Sequence, residues 1–484
     1  MLGMDNRFAR MVASVAILLA LLAAPASAAV RGEPRTRATA PLKLRALRTL
    51  RHSLAGRYPG VGPSNEYFSS PTIADVNGDG VPEIVSATMD GFVFAFRADY
   101  SVLWSRSLGH TGFQASPAVG QLLGSSAADV VVSSMDGRIF VLDGPTGRTV
   151  NVFGQGPPLH CPPGVDCRPD GFFSTPAIAD VDGDGFADIV ASNYDHTVYA
   201  WRANGQLIFR QFIEDTSWSS PVVADIDGDG RREVIVGGDI YGGNNLHVPA
   251  GGLVWVFTRA GGTWHTYPGY PRSIPGQTVW STPAVSDLNG DGSPDIVVGT
   301  GNYYPSSSTT QRVYAFTART GRDLPGWPTG TFGQVSGGPA IVDLDGDGTR
   351  EVAFASEGGR ATVRNRSGST KWTRCWGQGG CSDASFHGGV SVADLDGDGV
   401  QDVVMAGQQL SVFDGRTGAL KATAGLGFQQ SSGTPSIAVV KGRTILAVQG
   451  VTSDNRSVVA VFTTDRALRK AGWPCFKRTP ARTG

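Results

Sequence analysis

From Ser69 onward, hydrophobic residues come in short runs that alternate with polar ones at a period of two, and each run is cut off by a turn rich in Gly and Asp. Thr175-Pro176-Ala177-Ile178-Ala179 alternates in this way, Gly183-Asp184-Gly185 turns the chain, and Ala187-Asp188-Ile189-Val190-Ala191 follows as a β-branched run. A third run reads Thr197-Val198-Tyr199-Ala200-Trp201 and recurs as Phe92-Val93-Phe94-Ala95-Phe96 and Arg312-Val313-Tyr314-Ala315-Phe316. A fourth, more variable run leads into the next unit. Each unit is therefore predicted to be a four-stranded antiparallel meander, the shape of a propeller blade.

The unit repeats. SSPTIADVNGDG from Ser69, STPAIADVDGDG from Ser174, SSPVVADIDGDG from Ser219, STPAVSDLNGDG from Ser281, GGPAIVDLDGDG from Gly337 and GGVSVADLDGDG from Gly388 are full copies. Two weaker copies, from Ser116 and Gly433, lack the acidic cluster. A spacing of roughly 45 to 50 residues suits one blade per repeat. The fold class expected is all-β, a propeller of eight blades, or seven if a weak copy merely completes another blade. The segment near Tyr67 and Phe68 is the expected source of a ring-closing strand. Composition agrees, because 66 Gly, 29 Pro and only 17% charged residues in 484 suit many short strands and tight turns.

Each full copy contains a loop D-x-[DN]-G-D-G-x-x-[DE], with oxygen side chains at positions 1, 3, 5 and 9 and glycines at 4 and 6 for the tight wrap. Counting the main-chain carbonyl at position 7, the candidate metal ligands are as follows. The first loop offers Asp75, Asn77, Asp79, Val81 and Glu83; the second, Asp180, Asp182, Asp184, Phe186 and Asp188; the third, Asp225, Asp227, Asp229, Arg231 and Glu233. The fourth offers Asp287, Asn289, Asp291, Ser293 and Asp295; the fifth, Asp343, Asp345, Asp347, Thr349 and Glu351; the sixth, Asp394, Asp396, Asp398, Val400 and Asp402. Several carboxylates this close repel one another, and an all-oxygen set favours calcium over zinc or copper. An EF-hand is excluded, since position 12 is Ser86, Ala191, Val236, Val298, Phe354 and Met405 in turn, never an acid. About six structural calcium sites are expected.

These motifs resemble the FG-GAP repeats of integrin α-subunit propellers and of bacterial VCBS-type secreted proteins, over nearly all of the chain from Tyr58 onward. The resemblance implies a propeller whose calcium loops join the first and second strands of a blade on one face, with ligands approaching the other. The chain carries six acidic loops rather than a few, so adhesion does not follow from the likeness. Val313 to Arg322 and Ile139 to Arg148 are also similar to quinoprotein blades, without a quinone site.

At the N-terminus, Arg7 and Arg10 precede an apolar run from Met11 to Ala24 and then Ala26-Ser27-Ala28, the layout of a cleaved secretory signal over residues 1–28. A retained membrane anchor is the rival reading, but the run is shorter than the ~20 residues a span needs. Residues 29–58 read as a basic linker, or as an arm for a polyanion, and 59–484 as the propeller. A secreted chain favours disulfides, and Cys161 with Cys167 and Cys375 with Cys381 are each close enough to staple a loop, leaving Cys475 as the fifth. Zinc fits these spacings poorly. The net charge of −1 gives no broad attraction for nucleic acid or an anionic membrane.

Two long insertions between second and third strands, Gly238 to Gly252 and Gly299 to Gln311, lie in neighbouring repeats and supply Tyr241, Asn244, Asn245, His247, Asn302, Tyr303 and Tyr304 as candidate ligand contacts. Self-packed insertions are the alternative. An aromatic residue precedes most first strands (Phe68, Phe113, Phe173, Trp218, Trp280, Phe386, Phe428), which reads as packing between blades. His110 and His387 read as structural. No G-x-S-x-G elbow, H-E-x-x-H, P-loop or dinucleotide fingerprint is present. The expected function is a monomeric binding module for a glycan or extracellular protein. A polysaccharide lyase or hydrolase and a structural envelope component are the alternatives.

Overall fold

Eight antiparallel sheets follow one another around a ring in the computed structural model, which describes residues 41–51, 69–109, 112–154, 171–301, 311–375, 381, 388–428, 431, 433–452, 457–475 and 477–479. Blade 3 shows the unit: Ala177–Ala179, Asp188–Ser192, Thr197–Arg202 and Leu207–Phe212, each pairing with the next. The first strands of neighbouring blades lie side by side around the axis, and that of blade 8 (Ser436–Val440) meets that of blade 1 (Thr72–Ala74). The expectation of eight blades holds.

The repeated Ser-[Ser/Thr]-Pro has a structural reason. Its middle residue stands just before the first strand and accepts a main-chain N–H from the preceding blade. Ser116 Oγ takes Ser70 N at 2.8 Å, Thr175 Oγ1 takes Ser116 N at 2.9 Å, and Ser220 Oγ takes Thr175 N at 2.9 Å. Across the closure, Ser70 Oγ takes Thr434 N at 2.8 Å. Blades 6 and 7 have glycine at this position, Gly338 and Gly389, and beside it the two backbones come close: a Cβ on the preceding Gly337 would lie 2.4 Å from Gly388 O.

Hydrophobic cores lie between blades, not within them. Val85, Val93 and Trp104 of blade 1 pack with Phe113, Val130 and Phe140 of blade 2, and equivalent clusters fill the other gaps. Each blade therefore buries both faces only when its neighbours are present.

Two segments differ from expectation. Leu44–Arg51, inside the stretch read as a basic linker, is the fourth strand of blade 8 and pairs antiparallel with Ser457–Thr464. Leucines three apart at 44, 47 and 50 resemble one turn of helix. They belong instead to a strand whose register shifts between Ala46 and Arg48, so that Leu44 packs against the core of blades 7 and 8 and Leu50 against that of blades 8 and 1. The expected source of closure near Tyr67 and Phe68 lies outside the described residues.

The second segment is Lys470–Trp473, which pairs with the first strand of blade 7 on its axial side: Asp394 opposite Lys470, Val392 opposite Trp473. The chain then continues past Pro474, whose carbonyl accepts Ile437 N at 2.8 Å, to buried Lys477, whose Nζ donates to Thr175 O of blade 3 at 3.3 Å. It thus runs along the ring axis from the Asp394 end to the Thr175 end.

Candidate functional site

Each acidic loop is shaped by its own first aspartate. In blade 3, Asp180 Oδ1 accepts Gly183 N at 2.7 Å and Oδ2 accepts Gly185 N at 3.0 Å, while both glycines adopt positive φ (78° and 89°) that other residues rarely tolerate. The same pair of bonds recurs in the other five loops. The ninth residue opens the buried second strand and accepts the N–H of position 2, as in Val181 N to Asp188 Oδ2 at 3.0 Å. The degraded copy of blade 2 keeps this bond, with Leu122 N on Asp129 Oδ2 at 3.0 Å. The position-5 carboxylate accepts the N–H of position 7, for example Asp184 Oδ1 from Phe186 N at 2.9 Å.

These bonds gather several carboxylates into each loop. Asp180, Asp182 and Asp184 each place an oxygen within 4.8 Å of the others, as do Asp225, Asp227 and Asp229, Asp343, Asp345 and Asp347, and Asp394, Asp396 and Asp402. These groups could hold a metal ion. Burial, then the neighbouring charges, pushes Glu83 and Asp188 up to about 7 and Asp295 up to about 6. Asp295 is fully buried, its Oδ2 accepts Leu288 N at 2.9 Å, and its Oδ1 has no hydrogen-bond partner. An all-oxygen set with an orphaned buried carboxylate oxygen fits a hard divalent cation.

The insertion after Ile240 leaves the second strand of blade 4 at the end opposite Glu233, and so on the face away from the acidic loops. Within it, Tyr241 is half-buried and Asn245 and His247 are exposed. Asn244 is buried and holds the loop from inside, donating to Tyr241 O at 2.6 Å and Val248 O at 2.8 Å. Asn245 Nδ2 donates to Glu214 Oε2 at 3.1 Å. Asn302, Tyr303, Tyr304, Cys161, Cys167, His110, His387, Phe68 and Phe386 lie outside the described residues. Cys375 and Cys381 are joined by a disulfide, as expected.

On the same face the aromatic residues before the first strands stack across blades, as packing residues would. Phe173 and Trp218 have centroids 5.2 Å apart, Trp218 and Trp280 5.3 Å, and Tyr194 lies 4.4 Å from Phe173. All four are only half-buried, so the stack forms a ledge, joined to the start of the blade 4 insertion by Trp280 on Asp239. Sequence reading missed the acid beneath it. Asp239 accepts Trp280 Nε1 at 3.0 and 2.8 Å, and burial, reinforced by the charge of Asp215, pushes its carboxyl well above the ordinary range.

A carboxyl whose pKa is raised on folding holds its proton more tightly in the folded chain, so the stability it allows at low pH is lost as pH rises through that value. Asp239→Asn, which keeps an acceptor for Trp280, is expected to raise stability by about 1 to 2 kcal/mol at pH 8 and to change it little at pH 4.5. Urea unfolding at both pH values checks this; an equal change at each overturns it.

The fold and loops define a class, an eight-bladed β-propeller with acidic turns repeated on one face. The pattern of the FG-GAP-like repeat matches residues 180–236 and 307–405, and that of the FG-GAP repeat matches 279–316. The chain thus carries FG-GAP-type repeats within its propeller. No curated protein sequence is significantly similar to it. Among solved structures it is similar in fold to BamB from Moraxella catarrhalis (TM-score 0.55, 13% identity, 87% of this chain and 97% of that one covered). It is likewise similar to the V. cholerae biofilm matrix protein Bap1 (0.55, 16%, 88% and 91%) and to the Dos1 propeller (0.52, 10%, 86% and 95%).

Proposed function

We propose that the protein is a secreted, calcium-stabilised propeller that binds a glycan or an extracellular protein through the face opposite its acidic loops. The observation that carries this reading is the stacked ledge of Phe173, Trp218 and Trp280 beside the insertion of Tyr241, held on a rigid ring. Half-exposed aromatic faces suit the apolar faces of sugar rings and the side chains of a peptide. Secretion is supported by the signal-like segment at residues 1–28 and by the disulfide. FG-GAP propellers are commonly non-catalytic, and the acid pair on this face, Asp215 and Asp239, is committed to Thr216 N and Trp280 Nε1.

The test is a glycan and protein array probed with the full secreted chain in calcium, alongside Tyr241→Ala and Trp218→Ala. Binding that falls at least tenfold in both variants, with their melting unchanged by more than a few degrees, supports the reading. A ligand whose binding ignores both substitutions places the site elsewhere, and cleavage of an arrayed polysaccharide makes the protein an enzyme.

A further inference from the structure

The six acidic loops are not equivalent. We propose that Lys371 and Lys421 are built-in cations for the loops of blades 6 and 7, so that calcium is taken up only by the loops of blades 1, 3, 4 and 5. This rests on the calcium reading of those four.

The placement begins with register. In blades 1, 2, 3, 6 and 7 the pairing of third and fourth strands shifts by one residue, leaving Leu103, Val150, Ile208, Lys371 and Lys421 as the extra residue of a bulge. A bulge re-aims the side chain it releases. Leu103 and Ile208 pack against the apolar cores beside their blades. In blades 6 and 7 the residue is lysine, and its ammonium enters the acidic loop.

Lys421 Nζ lies 3.0 Å from Asp396 Oδ2, 2.9 Å from Asp398 Oδ2 and 2.8 Å from Asp402 Oδ1, the side chains at positions 3, 5 and 9. Lys371 Nζ lies 2.7 Å from Asp345 Oδ2 and 2.8 Å from Glu351 Oε1, positions 3 and 9. These are the oxygens a divalent ion needs, and an ammonium among them both occupies the space and repels a second cation. Both lysine side chains are largely withdrawn from water (21% and 13% exposed), so leaving the carboxylates would require the charge to find new partners.

Among the described residues, no ammonium or guanidinium pairs with position 9 of the other loops. Arg202 reaches Asp182 and Asp184 in blade 3 at 2.8 and 3.0 Å, but its side chain is 40% exposed and has an open route to solvent. In blade 5, Arg350 approaches only the first aspartate, at 3.9 Å. The lysine-filled loop of blade 7 also sits where the axial strand docks: Gln401 Oε1 accepts Gly472 N at 3.0 Å and Asp394 O accepts Arg469 N at 3.3 Å. The seat of that strand is thereby independent of metal supply.

Calcium alone, titrated into the metal-stripped full chain and counted by native mass spectrometry, tests this. Four ions are expected in the natural chain, five in Lys371→Met or Lys421→Met, and six in the double variant. Six ions in the natural chain, or a count unmoved by the substitutions, overturn the lysine assignment and leave calcium binding intact. No ion in any form overturns the calcium reading itself. Should the variants fail to fold, hydrogen exchange on the natural chain decides: chelator is expected to deprotect the loops at 75–83, 180–188, 225–233 and 287–295 but not those at 343–351 and 394–402, and uniform deprotection overturns the assignment.

Discussion

A melting temperature about 10 °C lower in chelator than in excess calcium is the expected result for the full chain. A ligand that binds only the folded state contributes RT ln(1 + [L]/Kd), about 2.7 kcal/mol per site at a hundredfold excess over Kd. Four loops without lysine would together contribute about 10 kcal/mol. Unfolding entropy of about 2 cal/mol/K per residue turns that into about 10 °C for a ring of this size. A local counterpart is Asp227→Ala, which removes a position-3 carboxylate and an acceptor for Tyr267 Oη at 3.1 Å. It is expected to reduce the calcium-dependent shift by about a quarter. Scanning calorimetry with and without calcium measures both, and identical melting in the two buffers sinks the structural role of the ion.

Removal of the closing strand has a comparable effect by a different route. Without residues 42–51, the strand Ser457–Thr464 becomes an exposed edge, and the core formed by Ile73, Ile84, Phe94, Phe96, Val459 and Val461 loses Leu50. The truncated chain is expected to aggregate or to unfold over a broad range. Leu50→Ala is the graded version, expected to cost about 2 to 4 kcal/mol. Arg45→Ala and Arg48→Ala, on exposed positions, should cost less than about 0.5 kcal/mol. If the two arginines matter and Leu50 does not, the segment acts through its charge and not as a strand.

The parts of the molecule legible in the sequence are those whose causes are local. Six loops could be placed residue by residue because Gly183 and Gly185 must take positive φ and Asp180 must accept both of their N–H groups, demands met within six residues. The hydroxyl before the proline of most repeats was visible as a pattern, although its role in joining blades was not, since Ser70 and Thr434 meet only when the ring closes. The lysines escaped notice because the bulges that aim Lys371 and Lys421 depend on strand register, and register is not written in the residue types at those positions. Leu44–Arg51 was hidden by a spacing that imitates a helical turn. Lys470–Trp473 carries no motif, and its partner Ser391–Asp394 is specified by the ring, not by its neighbours in sequence. Asn244 counted as a surface group by residue type, whereas its amide is spent inside its own loop.

The blade that closes the ring is sewn from both regions of the chain: Lys43 N meets Asp465 Oδ1 at 3.1 Å across 422 residues of sequence. Contacts of such separation form last and slowly, because the loop they close must be ordered first. During synthesis, therefore, seven blades can stack as they emerge while Leu50 waits for Val459, and until then both edges of the nascent arc are open to pairing with another chain. Once formed, the same stitch acts in reverse. No terminal blade is left to fray, so escape from the folded state begins with release of this one strand, and the lifetime of the folded ring is set by how rarely that happens.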